Sequence, residues 1–325
     1  MRVGPRCTAM STLFSASKLL PAAELPEPTG GAVDGMPSPD RTGSVLGISK
    51  RGFHRLSYVE WGDPASERVA VCVHGLSRQG RDFDVLAAAL ARAGWRVICP
   101  DLAGRGRSDW LKDAEEYTLP QYAMDLTAVI ARLGVAKVDW IGTSLGGLIG
   151  IVLAGQERSP IQRLILNDIG PYLPWQALQR LGNAVRSAPR GFRDFATALA
   201  YHREALAPFG KLTEVQWQQL TLHSIAREAD GTWRKLSDPE ITASFRSGLF
   251  WNLSLWSYWD AIACPTLVMR GARSDTLLPS TTSEMTRRGP AAEVAEFLDC
   301  GHAPALMDRA QVGTVLGWLE ARPAS

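Results

Sequence analysis

The sequence has no long hydrophobic run. Its longest, Leu145–Ala154, is ten residues, well short of the roughly 18 that a membrane-spanning helix needs. It has no excess of charge, with 35 Lys and Arg against 33 Asp and Glu. No field therefore gathers nucleic acid or an anionic lipid surface, and neither is an expected partner. Cysteine is sparse. The five (Cys7, Cys72, Cys99, Cys264, Cys300) are odd in number and form no CxxC pair, a usage that fits a reducing, cytoplasmic setting. The five His form no HxH or HExxH pattern, so no metal site is expected and no cofactor is called for. What is present is a normal apolar fraction of 46%, too high for a disordered chain. At 325 residues the length suits two domains, or one large α/β domain with an insertion. Trp is the commonest aromatic, with 11 of them.

Residues 1–43 stand apart. They hold six of the 20 Pro, five Gly and one aromatic, and are expected to form a disordered N-terminal tail. Arg2, Arg6 and the Ser-rich stretch 11–17 faintly resemble a transit peptide, but Lys18 interrupts the only apolar stretch. An untargeted tail, or a true start at Met10, is the expectation. From Ser44 the pattern is an antiparallel strand pair (45–49 and 54–61) turning at Arg51-Gly52. Strict alternation of strand and helix follows. Strands are expected at 69–73, 95–99, 138–141, 161–166, 266–270 and 294–298. Helices are expected at 82–92, 118–133, 145–154 and 312–320. This alternation predicts an α/β fold with a parallel sheet covered on both faces. Over 171–262 it stops. That stretch reads as a helical insertion, with segments at 175–181, 192–206 and 213–227 and no strand-like run. It divides a core of 44–170 and 263–322, and holds six of the 11 Trp and 14 of the 26 aromatics.

The sequence Gly142-Thr143-Ser144-Leu145-Gly146-Gly147 lies between a predicted strand and a predicted helix. A G-x-S-x-G sharp turn there holds a serine hydroxyl above the sheet, at the positive end of a helix. Ser144 is the candidate nucleophile. A hydroxyl needs a base, and His302 follows the last predicted strand in Cys300-Gly301-His302, where open α/β sheets place their sites. Two acids follow strands, Asp275 and Asp168. Asp275 is preferred because a charged loop directly after an apolar strand is a common site signature; Asp168 is expected to organise the mouth of the insertion. The loop His74-Gly75-Leu76-Ser77-Arg78 should supply the Leu76 N–H, joining the Leu145 N–H as an oxyanion hole. Pro100–Asp109 mimics a phosphate loop but has Asp109 where G-x-G-x-x-G needs glycine, so it reads as a structural loop. Arg78 and Arg81 flank the oxyanion loop and are candidates to meet a substrate carboxylate bidentately, with solvated surface arginines the stronger expectation. Most surface arginines are simply solvated. Among the Trp of the insertion, Trp175, Trp251 and Trp256 are candidate walls of an apolar pocket, with most of its aromatics filling its own core.

These motifs in this order, with Pro100-Asp101, Gly104-Arg105-Gly106-Arg107-Ser108 and Gly271…Asp275, resemble the α/β-hydrolase superfamily, most nearly its lidded bacterial carboxylesterase and lactonase-like members. The resemblance covers roughly 44–322. It implies an eight-stranded, mostly parallel sheet, a helical lid at 171–262 and a triad of Ser144, Asp275 and His302. The serine sets the chain apart from relatives with an Asp nucleophile, and the loop lacks the HGGG of hormone-sensitive-lipase-like esterases. The expected function is a serine hydrolase cleaving a small or medium carboxylic ester or lactone with an apolar part. Carbon–carbon bond hydrolysis, or cofactor-free perhydrolysis of the haloperoxidase kind, is the alternative on the same triad. A triad-retaining ligand receptor is the rival from another class. Oligomeric state is not legible.

Overall fold

The structure is a computed structural model that describes residues 33–243 and 252–322. Strands β1 (Arg41–Ser49) and β2 (Gly52–Trp61) form an antiparallel hairpin whose register runs from Arg41↔Glu60 to Ser49↔Gly52. The two-residue turn is thus Lys50-Arg51, one position before the expected one. Residues 41–43 belong to β1, and the Gly62 N–H donates to the Asp40 carboxylate at 2.7 Å. The structured part therefore begins before Ser44, while the rest of the expected tail, residues 1–32, lies outside the described residues.

Alternation then follows as β3 (Val69–Val73), α1 (Asp84–Arg92), β4 (Arg96–Pro100), α2 (Leu119–Arg132), β5 (Val138–Thr143), α3 (Leu145–Ala154) and β6 (Ile161–Asn167). Local signals set several ends. The Thr118 side chain accepts from the Gln121 N–H to start α2, with Pro120 in its first turn. Gly94 (φ 92°) and Gly134 (φ 71°) take up left-handed backbone just beyond α1 and α2.

The insertion is mixed rather than purely helical. It comprises β7 (Tyr172–Leu173), α4 (Trp175–Arg186), β8 (Gly191–Phe192), α5 (Phe195–Ala205), α6 (Glu214–Leu222), β9 (Ile225–Arg227), β10 (Trp233–Lys235), β11 (Leu253–Ser254) and α7 (Trp256–Ala261). β8, β10 and β9 form a small antiparallel sheet, and β7 pairs with β11. The expected helices over 192–206 and 213–227 therefore lose an end each to strands. Phe192 and Ile225 leave the helical stripe to build a small core with Phe195, Tyr201 and Trp233. Strands of two or three residues are too short to show a period of two in sequence.

The chain closes with β12 (Thr266–Gly271), α8 (Pro279–Met285), β13 (Glu293–Phe297) and α9 (Arg309–Glu320). The main sheet has eight strands in the order β1-β2-β4-β3-β5-β6-β12-β13, antiparallel at β1-β2 and β2-β4 and parallel elsewhere. Its inner strands are buried on both faces. Along β3, Val69, Val71 and Val73 pack with residues of α2 and α3 such as Leu126 and Ile149. Ala70 and Cys72 pack with residues of α1 and α9 such as Leu90 and Leu319. A strand whose alternate residues face two helical layers must be apolar throughout, which is why VAVCV occupies it. Among the described residues no helix is long and apolar enough to cross a membrane.

Candidate active site

Ser144 sits between β5 and α3 with φ 51° and ψ −113°. A non-glycine residue there is strained, and strain of this kind gathers at functional positions. The turn leaves no room for neighbouring side chains. A Cβ on Gly142 would meet the Gly146 carbonyl at 2.4 Å, and one on Gly146 would meet the Val73 carbonyl oxygen at 2.1 Å. The two glycines of the motif are thus required by backbone contact. Ser144 is itself 9% exposed.

His302, on the loop after β13, joins two partners. Its Nε2 lies 2.9 Å from Ser144 Oγ, and its Nδ1 lies 2.7 Å from Asp168 Oδ2. Asp168 is fully buried, with φ 56°, one residue past the end of β6. Its Oδ1 accepts from the Gly271 N–H at 2.9 Å and its Oδ2 from the Ser274 hydroxyl. The carboxylate is therefore fixed by three donors, and its own backbone N–H bonds the Met269 carbonyl at 2.8 Å. Ser144, His302 and Asp168 form one hydrogen-bonded chain from hydroxyl to buried carboxylate.

Asp275, the acid preferred from the sequence, stands elsewhere. Its side chain is 60% exposed and pairs with Arg180 of α4 at 2.6 Å. The reason is local. β12 ends at Gly271, and the following turn points Ser274 inward at Asp168 and Asp275 outward. Because β6 and β12 are neighbours in the sheet, both acids follow adjacent strands, and the sequence pattern alone does not separate them. Asp168 therefore contacts His302 and does not serve the mouth of the insertion.

The loop expected to supply an oxyanion donor, His74–Arg78, is held from behind. His74 Nδ1–H donates to the Gly75 carbonyl at 2.7 Å, and its Nε2 accepts from the Leu102 N–H at 3.0 Å. Burial pushes the His74 imidazole down to about 3, with Arg105 and Arg78 nearby, so it is neutral and serves both bonds. Arg105 is fully buried. Its Nε donates to the Leu76 carbonyl at 2.8 Å, and its Nη1 to the Ala103 carbonyl and the Tyr122 hydroxyl, both at 2.6 Å. Asp101, raised to about 6 by burial, accepts from the Gly80 and Arg107 N–H groups. The Pro100–Asp109 stretch is thus a buttress for the loop bearing Leu76. The bracing role of Arg105 is hidden in the sequence because the residue sits inside a pattern that resembles a phosphate loop. Leu145, as the first residue of α3, has no intrahelical acceptor for its N–H, and the Leu76 N–H has no acceptor among the described residues.

The candidate substrate-binding residues fall unevenly. Arg78 is buried and forks onto Asp82, with Nε and Nη2 each 2.7 Å from a carboxylate oxygen. Trp175 is the first residue of α4, where its backbone N–H donates to the Asn252 side-chain oxygen at 2.9 Å. Trp256 stacks beneath the Arg288 guanidinium at 4.3 Å and meets Trp259 edge-on at 6.5 Å, a packing role. Trp251 lies outside the described residues. The insertion meets the core at the end that carries the site. Gln219 donates to Asp84, Tyr117 to Asp238 at 2.7 Å, and the Gly301 N–H to the Pro208 carbonyl at 2.7 Å. Among the described residues no group of three or more His, Cys, Asp or Glu is arranged to hold a metal ion.

Comparison with known proteins identifies the family of the fold. Residues 69–307 match the family model of the alpha/beta hydrolase fold. A 3-hydroxybutyrate-oligomer hydrolase of Cupriavidus necator is 47% identical over 286 residues, spanning 85% of this chain and 97% of that protein. An esterase of Mycobacterium tuberculosis is 26% identical over 72% of this chain and 75% of its own length. Among solved structures, an α/β hydrolase from Novosphingobium aromaticivorans is 32% identical, with a TM-score of 0.75 over 86% of this chain and 99% of its own. The chain is an enzyme of the α/β-hydrolase family.

Proposed function

We propose that this enzyme cleaves short oligomeric esters of a hydroxy acid, 3-hydroxybutyrate oligomers being the substrate class, through an acyl-enzyme on Ser144. The observation that carries the reading is the hydrogen-bonded chain Ser144–His302–Asp168. The substrate class is supported by the 47% identity to the Cupriavidus necator enzyme. His302 Nε2 takes the Ser144 proton as Oγ attacks the ester carbonyl, and Asp168 holds the imidazole by Nδ1 and stabilises its charge. The oxyanion accepts hydrogen bonds from the Leu76 and Leu145 N–H groups. His302 then returns the proton to the leaving alkoxide. Water deprotonated by the same imidazole releases the acid and restores Ser144.

In this reading the 171–262 segment acts as a lid over the carboxyl ends of the strands, which its contacts at Asp84, Tyr117 and Gly301 support. A reducing, cytoplasmic setting agrees with the free thiols of Cys72, Cys99, Cys264 and Cys300. The test is chromatographic detection of 3-hydroxybutyrate released from its dimer and trimer, with Ser144→Ala as the blank. Release by the parent enzyme alone is expected. Cleavage of simple esters with no release from the oligomers would overturn the substrate class and leave the esterase chemistry standing.

A further inference from the structure

Beside the loop bearing Leu76 lies a small cavity of about 40 Å³, room for about three waters or one carboxylate at roughly 10–15 Å³ of such space per water. Its walls come from both halves of the molecule. Ser77 and Arg78 follow Leu76 directly, while Tyr201, His202, Lys235 and Ser237 come from the insertion. The cavity meets the oxyanion-side loop at Ser77 and Arg78, and a Cβ at Gly75 of the same loop would lie 3.6 Å from the Ser144 Cβ.

Charge within it is unbalanced. Arg78 is already matched by the fork onto Asp82. His202 is neutral, because burial, with Arg78 and Lys235 nearby, pushes its imidazole down to about 3. Lys235 ends β10 half-buried, its amine 5.3 Å from the centre of the Tyr201 ring, and among the described residues no carboxylate lies within ion-pair distance of it. Burial, and then the charge of Arg78, lower the amine to about 8, which leaves it largely protonated at neutral pH. A cation held in a walled, hydroxyl-lined cavity without a counter-ion is matched by a small anion, since an unpaired buried charge is costly and a charge-assisted bond offsets it.

We propose that Lys235 anchors the free carboxylate end of a hydroxy-acid ester in this cavity, while the ester carbonyl lies at Ser144. The proposal rests on the substrate class given above and adds what it lacks, a group that reads the acid terminus. A hydroxy-acid oligomer carries one carboxylate however long it is. A cavity this small beside the Leu76 loop therefore favours short chains held by their acid end.

The test compares kcat/KM for the 3-hydroxybutyrate dimer and for its methyl ester, in the parent, Lys235→Met and Lys235→Arg enzymes. The parent should prefer the free acid by about tenfold or more, mainly through KM, as a hydrogen bond to a charged group implies. In Lys235→Met that ratio should fall to about one, and Lys235→Arg should keep most of it. A ratio near one in the parent, or one unchanged in Lys235→Met, overturns the proposal. If the parent cleaves neither compound, the oligomer reading has failed and the cavity is judged separately, from inhibition of p-nitrophenyl butyrate hydrolysis by 3-hydroxybutyrate. An inhibition constant that rises about tenfold in Lys235→Met upholds the anion site, and an equal constant in both enzymes overturns it.

Discussion

The strand ends and the insertion are built on opposite terms. At the strand ends, position is set by backbone. Ser144 and Asp168 are held at φ 51° and 56°, glycines are dictated by contacts below 2.5 Å, and His74 and Arg105 brace the oxyanion loop from behind. In the insertion, position is set by side chains. Short strands and helices are joined by aromatic packing and by buried polar groups such as Gln219 and His202. The first region fixes a reaction and tolerates little change. The second depends on its aromatic core and on the contacts at Asp84 and Tyr117.

The largest expected effect separates the regions outright. Ser144→Ala should lower kcat on any ester by about 10⁴-fold or more while the melting temperature changes little. Retention of more than a hundredth of the parent rate would remove Ser144 from the chemistry. Next comes the brace. Arg105→Met deletes the guanidinium that grips the Leu76 carbonyl, and so loosens an oxyanion donor without touching substrate. We expect kcat to fall about tenfold or more with KM little changed. Circular dichroism should report a folded protein, and a change in KM alone would assign Arg105 to binding.

The smallest effect sharpens the contrast by pH. His202 and His223, both in the insertion, are pushed down to about 3 chiefly by burial, whereas the unfolded chain titrates near 6.5. Below that value the unfolded state binds protons that the folded state refuses, so their contribution is lost progressively from about pH 6.5 toward pH 3. Asp84, in α1, and Asp101, after β4, are raised to about 6 by burial and act in the opposite sense, favouring the fold as pH falls from about 6 toward 4. Acid should therefore loosen the insertion before the sheet. The melting temperature of His202→Phe should fall less between pH 7.5 and pH 5.5 than that of the parent. Equal falls would show that His202 does not carry the acid sensitivity.

Much of this was legible in the chain. β-branched runs buried on both faces, glycines after helices and the strand–GTSLGG–helix turn announce a sheet and a nucleophile through local, repeated constraints. His302 was legible because only one histidine follows a late strand. The acid was not, since Asp168 and Asp275 both trail apolar strands that lie side by side. What distinguishes them is which way a turn of four residues points, and that depends on Ser274 and the Gly271 N–H reaching across to Asp168. Nor were the strands of the insertion, because two or three residues carry no period. Lys235 was invisible for a further reason: an exposed and a half-buried lysine read alike until the walls around them are known.

The most direct test of the account compares Asp168→Asn with Asp275→Asn on one short ester under identical conditions. The hydrogen-bonded chain through His302 predicts that Asp168→Asn loses kcat by about 10³-fold or more, as removal of a triad carboxylate does, while Asp275→Asn stays within about threefold, because it gives up only an exposed ion pair with Arg180. A large loss in Asp275→Asn with near-parent activity in Asp168→Asn would contradict it.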